Sequence, residues 1–187
     1  MPPKAKYTKE EIAETAYEAV RKYGEDFLSA RNLAAALGTS TAPIFTAFSN
    51  IEELRTVGAK RAKQLYSQYL SEGLSGDIPF KGAGLKYIQF AKDEPNLFRM
   101  LFMRHETGDP FSHYFPAEDE NEPRVRKSLE EGYHIGESRA KKIYNHLSVY
   151  AHGIAVLYAQ GRCVFTDEDV SAMLSEVFAA LTKGEQI

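Results

Sequence analysis

Ala30-Arg-Asn-Leu-Ala-Ala-Ala-Leu-Gly-Thr-Ser-Thr-Ala-Pro-Ile-Phe-Thr-Ala-Phe48 is the stretch on which the fold turns. Leu33, Ala34 and Leu37 share one face of a short helix beginning near Ala30, which leaves Arg31 and Asn32 toward water. Gly38 directly follows the last periodic residue and can take the left-handed conformation that turns the chain sharply. Ser40 is the expected N-cap of a second helix, with Pro43 in its first turn, where a missing N–H does little harm. That helix is expected to run to about Phe48, with Ile44 and Phe48 inward and Thr41, Ala42, Phe45 and Thr46 outward. Two short helices crossing at the small Ala34 describe a helix-turn-helix, in which the early outward residues of the second helix meet base edges in the major groove. The same spacing also describes a plain helical hairpin within an all-helical domain.

The flanks bear on that choice. Thr8-Lys-Glu-Glu11 has the form of a capping box, Ile12, Ala16, Ala19, Val20 and Tyr23 recur at helical spacing, and Gly24 closes the run. After the motif, Ser49-Asn-Ile-Glu-Glu-Leu54 opens a long helix expected to reach about Ser71. In this order the features resemble the TetR family of bacterial transcriptional regulators, over about the first third of the chain. Family members read as a small run ending in Leu-Gly-Val-Ser, then Thr-Leu-Tyr, an aromatic corner and a Ser-Lys-Glu-x-Leu segment. The equivalents here are Leu37-Gly38-Thr39-Ser40, Pro43-Ile44-Phe45, Phe48 and Asn50-Ile51-Glu52-Glu53-Leu54.

The resemblance implies a DNA-binding head whose contacts come from Arg31, Ser40, Thr41, Ala42, Pro43, Phe45, Thr46 and Asn50, with the basic arm residues Lys4 and Lys6 and the nearby Lys9. Two positions depart from the family. Phe45 stands where a tyrosine often gives its hydroxyl to a phosphate, and Ile51 where a lysine opens the fourth helix. Phosphate contacts set affinity and register, so substitutes are expected, Arg31 first among them.

Composition is that of an ordinary globular protein: 187 residues, 43% hydrophobic and 26% charged. The formal net charge of -3 is unevenly spread. Met1–Leu70 holds ten Lys plus Arg against eight Asp plus Glu, the remainder thirteen against eighteen. A slightly basic head on an acidic body fits a nucleic-acid reader, weakly. Cys163 is the only cysteine, which rules out an internal disulfide and a cysteine-rich zinc site. With no apolar run behind the N-terminal lysines and no stretch of about eighteen apolar residues, a cytoplasmic protein without membrane partners is expected.

Gly73 to Pro79 reads as the break between head and body, which divides the chain into a DNA-binding domain at 1–49, a connecting helix at 50–72 and a ligand-binding and dimerisation domain at 73–187. Helical pattern covers Phe80–Lys92, Asn96 to about His105, Pro123–Tyr133, Glu137–Gln160 and, capped by Thr166, Asp167–Leu181. Leu97, Phe98, Met100, Leu101, Phe102 and Met103 point all round their helix and imply deep burial. Glu106–Glu122, with its glycine, prolines and acidic run, is expected to be a long loop able to cover a pocket. The fold class is all-α.

The last two helices carry apolar stripes that include Tyr150, Ile154, Leu157, Met173, Leu174, Val177 and Phe178. These fit either the chain's own core or a four-helix interface between two subunits, which would set two heads on a palindrome. Ala151-His152-Gly153, with Leu157 and Gly161, resembles the C-terminal domain class named for a Trp-His-Gly motif, with alanine in place of the tryptophan. Tyr87, Phe90, Phe98, Phe102, Tyr133 and Tyr150 are candidates to line a pocket for an apolar or aromatic effector, or equally to fill a core. His105, Glu106, Asp109 and His113 form the one His/carboxylate cluster, which could bind a metal or effector cation, but its spacing makes no dependable helical ligand pair, so no metal site is expected. Nucleophile-elbow, phosphate-loop and dinucleotide motifs are missing, so neither enzyme activity nor a cofactor is expected. The expected function is a homodimeric repressor released from a palindromic operator by a small molecule; the alternative is an effector-binding or protein-interaction module that has lost DNA binding.

Overall fold

The computed structural model describes residues 7–103 and 121–183. They form nine α-helices and no strand. α1 (Lys9–Tyr23) is opened by a complete capping box, in which Glu11 N–H donates to Thr8 Oγ1 (3.1 Å) and Thr8 N–H to Glu11 Oε2 (2.7 Å). Gly24, at φ 87°, ends it and leads into a 3-10 turn, Glu25–Phe27. α2 (Ala30–Leu37) is capped by Ser29, whose hydroxyl accepts from Asn32 N–H, and is closed by Gly38 in the left-handed conformation at φ 63°.

α3 (Ala42–Ala47) is preceded by Thr41, which corrects the expected cap at Ser40. Thr41 already has helical backbone angles and its carbonyl accepts from Ile44 and Phe45 N–H; no side chain caps this end. α4 (Ile51–Leu74) starts at Asn50, whose side chain accepts from Glu53 N–H. At 24 residues it spans roughly 36 Å.

Beyond it lie α5 (Pro79–Asp93), α6 (Pro95–Phe102), α7 (Glu122–Tyr133), α8 (Glu137–Ala159) and α9 (Asp167–Lys183). α9 opens on a second reciprocal cap, Thr166 with Asp169. α6 stops at Phe102, three residues short of expectation, and Met103 is already exposed. α7 begins at Glu122 rather than Pro123. The rest of the expected pocket-covering loop lies outside the described residues, as do Lys4, Lys6 and the cluster His105, Glu106, Asp109 and His113.

Gly73 does not begin a linker. It is buried inside α4, which continues to Leu74, and the chain breaks only at Ser75–Ile78. The reason is close packing: a Cβ on Gly73 would lie 2.6 Å from the Gly82 carbonyl carbon and 2.8 Å from Ala83 N, so the α4 and α5 backbones touch.

One apolar cluster takes in Ile12 of α1, Leu33 of α2, Ile44 of α3, Tyr66 of α4, Phe90 of α5, Phe98 of α6, Leu129 of α7 and Ile154 of α8. A polar tie joins α1 to the α5–α6 junction. Arg21 donates twice to buried Glu94 (2.8 and 2.5 Å), and Asn96 Nδ2 donates to the Arg21 carbonyl (2.8 Å). The hydrogen bond to Glu94 raises the Arg21 pKa further above its ordinary value.

Candidate nucleic-acid interface and ligand cavity

The turn between α2 and α3 is set by backbone geometry. Gly38 N–H donates to Ala35 O (3.1 Å) and Thr39 N–H to Ala34 O (2.9 Å), which closes α2 and throws α3 across it. Ile44 and Phe48 are buried against Leu33, Ala34 and Ile12. The Tyr7 hydroxyl donates to the Leu37 carbonyl and adds a strap across this unit. The opposite face of α3 is open: Ser40, Thr41, Ala42 and Thr46 are exposed, Pro43 is half-buried, and the Phe45 ring is 52% exposed.

Cations around this face are mostly engaged. Lys9 pairs with Glu53 (2.7 Å), Arg55 with Glu25 (2.7 Å) and Glu52, and Arg61 with Glu14. The Lys9 ammonium, with the Ser49 N–H, holds Glu53 below the usual carboxylate range. Arg31, in the first turn of α2, is exposed and has no acidic partner among the described residues. Asn50 is exposed, with its side-chain oxygen engaged in capping α4. Ile51 is half-buried against the core, so an apolar contact stands where the family's lysine would reach out.

The second feature is a cavity of about 230 Å³, partly open to solvent and lined by α4, α5, α7, α8 and α9. Tyr66 and Leu70 face it from α4; Phe80, Lys81, Ala83, Gly84 and Tyr87 from α5, with Ile78 just before it. Val125 and Tyr133 come from α7, Tyr144, Leu147, Ser148 and Ala151 from α8, and Leu174, Ser175 and Phe178 from α9.

Of the six aromatics expected to line a pocket, Tyr87 and Tyr133 do so. Phe90, Phe98 and Phe102 do not: they are buried in the layer behind the wall, with Tyr66–Phe90 centroids 5.5 Å apart and Phe98–Phe102 4.9 Å. Tyr150 lies roughly 110° around α8 from the cavity-facing residues and is half-buried. Tyr66, Phe80, Tyr144 and Phe178 line it unanticipated, because which face of each helix turns inward depends on its neighbours.

The interface stripe divides in the same way. Ile154 and Leu174 are buried within this chain, and Leu174 and Phe178 face the cavity. Met173 and Val177 are half-buried. Leu157 of the expected stripe does face outward, 36% exposed, and on α8 it shares that face with His146, Val149 and Gly153, Val149 being 44% exposed. Their three- and four-residue spacing was readable, but the more apolar neighbouring stripe masked it.

His152 Nδ1 and Tyr87 Oη are hydrogen-bonded at 2.8 Å, which puts His152 directly behind the cavity wall. Burial lowers its pKa below the ordinary imidazole value. Among the described residues no group of three or more His, Cys, Asp or Glu is placed to hold a metal, and no helix is long and apolar enough to cross a membrane.

No protein-family model matches the sequence, and no curated protein matches it. A solved structure does: a TetR-like transcriptional regulator from Rhodococcus sp. RHA1, over 99% of this chain and 100% of that one, with a TM-score of 0.70 at 14% sequence identity. The described residues thus have the all-helical fold of a TetR-like regulator.

Proposed function

We propose that the chain is a TetR-family transcriptional regulator that binds operator DNA as a homodimer in the cytoplasm and is released by a small molecule. The observation that carries this is the open face of α3: Thr41, Ala42, Phe45 and Thr46 are presented outward by the Gly38 turn, beside an arginine with no acidic partner among the described residues. The shared fold supports the reading. Residues 1–49 form the reading head, α4 carries it, and the chain from the Ser75–Ile78 break onward forms the effector and dimer body. A second copy covers the outward face of α8, where Val149, Gly153 and Leu157 leave an apolar strip with open space beside Gly153.

Coupling runs through α4. This helix holds the head at Leu54, faces the cavity at Tyr66 and Leu70, and touches the α5 backbone at Gly73. A ligand that fits better when α4 is displaced moves the two heads away from operator spacing, by no more than its differential affinity.

The test is a titration with the DNA flanking the chain's own gene at several salt concentrations. Specific binding is expected, falling steeply with salt, with Arg31→Ala lowering the logarithmic salt slope by about 0.9 for one lost phosphate contact. No binding at low salt refutes the proposal. The rival reading, a helical module without DNA binding, draws on Phe45 and Ile51, which lack the hydroxyl and ammonium of the family pattern; absence of binding would favour it, whereas an unchanged slope in Arg31→Ala would deny only the Arg31 phosphate contact.

A further inference from the structure

We propose that the cavity takes a small aromatic carboxylic acid, with the ring seated among the aromatic side chains and the carboxylate paired with Lys81. This rests on reading the cavity as an effector site. Size comes first: at about 230 Å³ it is about half as large again as an engineered cavity of ~150 Å³ that holds benzene. One ring and a short chain fill that space.

The walls give the ring its place. Tyr66, Phe80, Tyr87, Tyr133, Tyr144 and Phe178 supply aromatic surface from five helices, suited to stacked or edge-on contact. Charge then discriminates among apolar ligands. Lys81, the third residue of α5 and half-buried, is the one charged side chain on the wall among the described residues.

Lys81 has no acidic partner there, whereas Lys86 on the same helix pairs with Glu72 (2.8 Å) and Lys92 with Asp167 (2.7 Å). A half-buried lysine without an acidic partner beside an apolar cavity favours a ligand that brings the missing anion. A cationic ligand would meet Lys81 with no carboxylate on the described wall to pair with, and a neutral one leaves Lys81 unmatched.

The experiment is calorimetric titration of the full-length protein with benzoate, phenylacetate, 3-phenylpropanoate and 4-phenylbutyrate, each against its primary amide. At least one acid is expected to bind about tenfold more tightly than its amide, the size of a charge-assisted hydrogen bond. Lys81→Met and Lys81→Gln are expected to bring that ratio to about one by weakening the acid alone, and Lys81→Arg to keep it.

Equal affinity for acid and amide, a preference that survives in Lys81→Met and Lys81→Gln, or no saturable binding of any acid overturns the proposal. Operator binding by the ligand-free protein is measured in parallel. DNA binding without acid binding overturns only the ligand class; acid binding without DNA binding upholds it and overturns the regulator reading.

Discussion

Gly73→Ala is a sharp perturbation of this fold, because it adds one methyl group where two helix backbones already touch. The new Cβ would sit 2.6 Å from the Gly82 carbonyl carbon and 2.8 Å from Ala83 N, against 3.4 Å where ordinary contact begins. The Gly82 carbonyl oxygen is nearer still, so the helices must part by about 1 Å, a gap that forfeits about half of the dispersion in each contact it opens. Neither obstacle is a side chain that can rotate away, so the cost lies near the ~3 kcal/mol upper end for overpacking. Alanine returns about 1 kcal/mol of helix propensity.

The net loss is about 2 kcal/mol, which for a chain of this length lowers the Tm by about 4–8 °C. The assay is urea unfolding followed by far-ultraviolet circular dichroism at fixed protein concentration, with Gly132→Ala as the control. Gly132 lies in α7, where an added Cβ would meet nothing within 4 Å, so the same substitution should stabilise there by about 0.5–1 kcal/mol. A Gly73→Ala protein as stable as the wild type would refute the reasoning.

Three further outcomes are expected. Phe45→Tyr restores a hydroxyl to an exposed position and should tighten operator binding about fivefold, the value of one added hydrogen bond, in fluorescence anisotropy; no change would deny that α3 lies against the phosphate backbone. His152 has a folded-state pKa below its unfolded value, so above about pH 6.5 both states are neutral, and below it the unfolded state binds the extra proton and stability falls as pH falls. His152→Gln should therefore lose less Tm than the wild type between pH 7.5 and 5.5, and identical pH profiles would contradict this. Val149→Asp should raise the dimer dissociation constant on the order of 100-fold in sedimentation, since two-fold symmetry sets the charge into the interface twice; an unaffected dimer would move the interface elsewhere.

Sequence reading succeeded where structure is made by neighbours along the chain. The Thr8–Glu11 box, the Gly38 turn, the capping signal at Ser49–Leu54 and the Thr166 cap each lie within three or four residues of what they bond, and the helix ends they mark stand close to where the sequence put them. The cap of α3 slipped by one residue because Thr41 holds the turn with its carbonyl rather than its hydroxyl, a choice that side-chain type does not encode. The exposure of Phe45 and Thr46 was legible, since the burial of Ile44 and Phe48 forces it at helical spacing.

The cavity was legible only in part. Tyr87 and Tyr133 were anticipated, but Phe90, Phe98 and Phe102 differ from them in nothing a sequence shows; they lie one layer deeper. By itself, then, the sequence determined an all-helical chain with a helix-turn-helix near its start, because caps, turns and amphipathic periods act over one or two helical turns. The tertiary structure alone decided that Gly73 is a helix crossing and not a linker, that Arg21 holds Glu94 across 73 residues, and that Lys81 faces an aromatic cavity. Those contacts join residues far apart in the chain, and they exist only once every helix has chosen the face it buries.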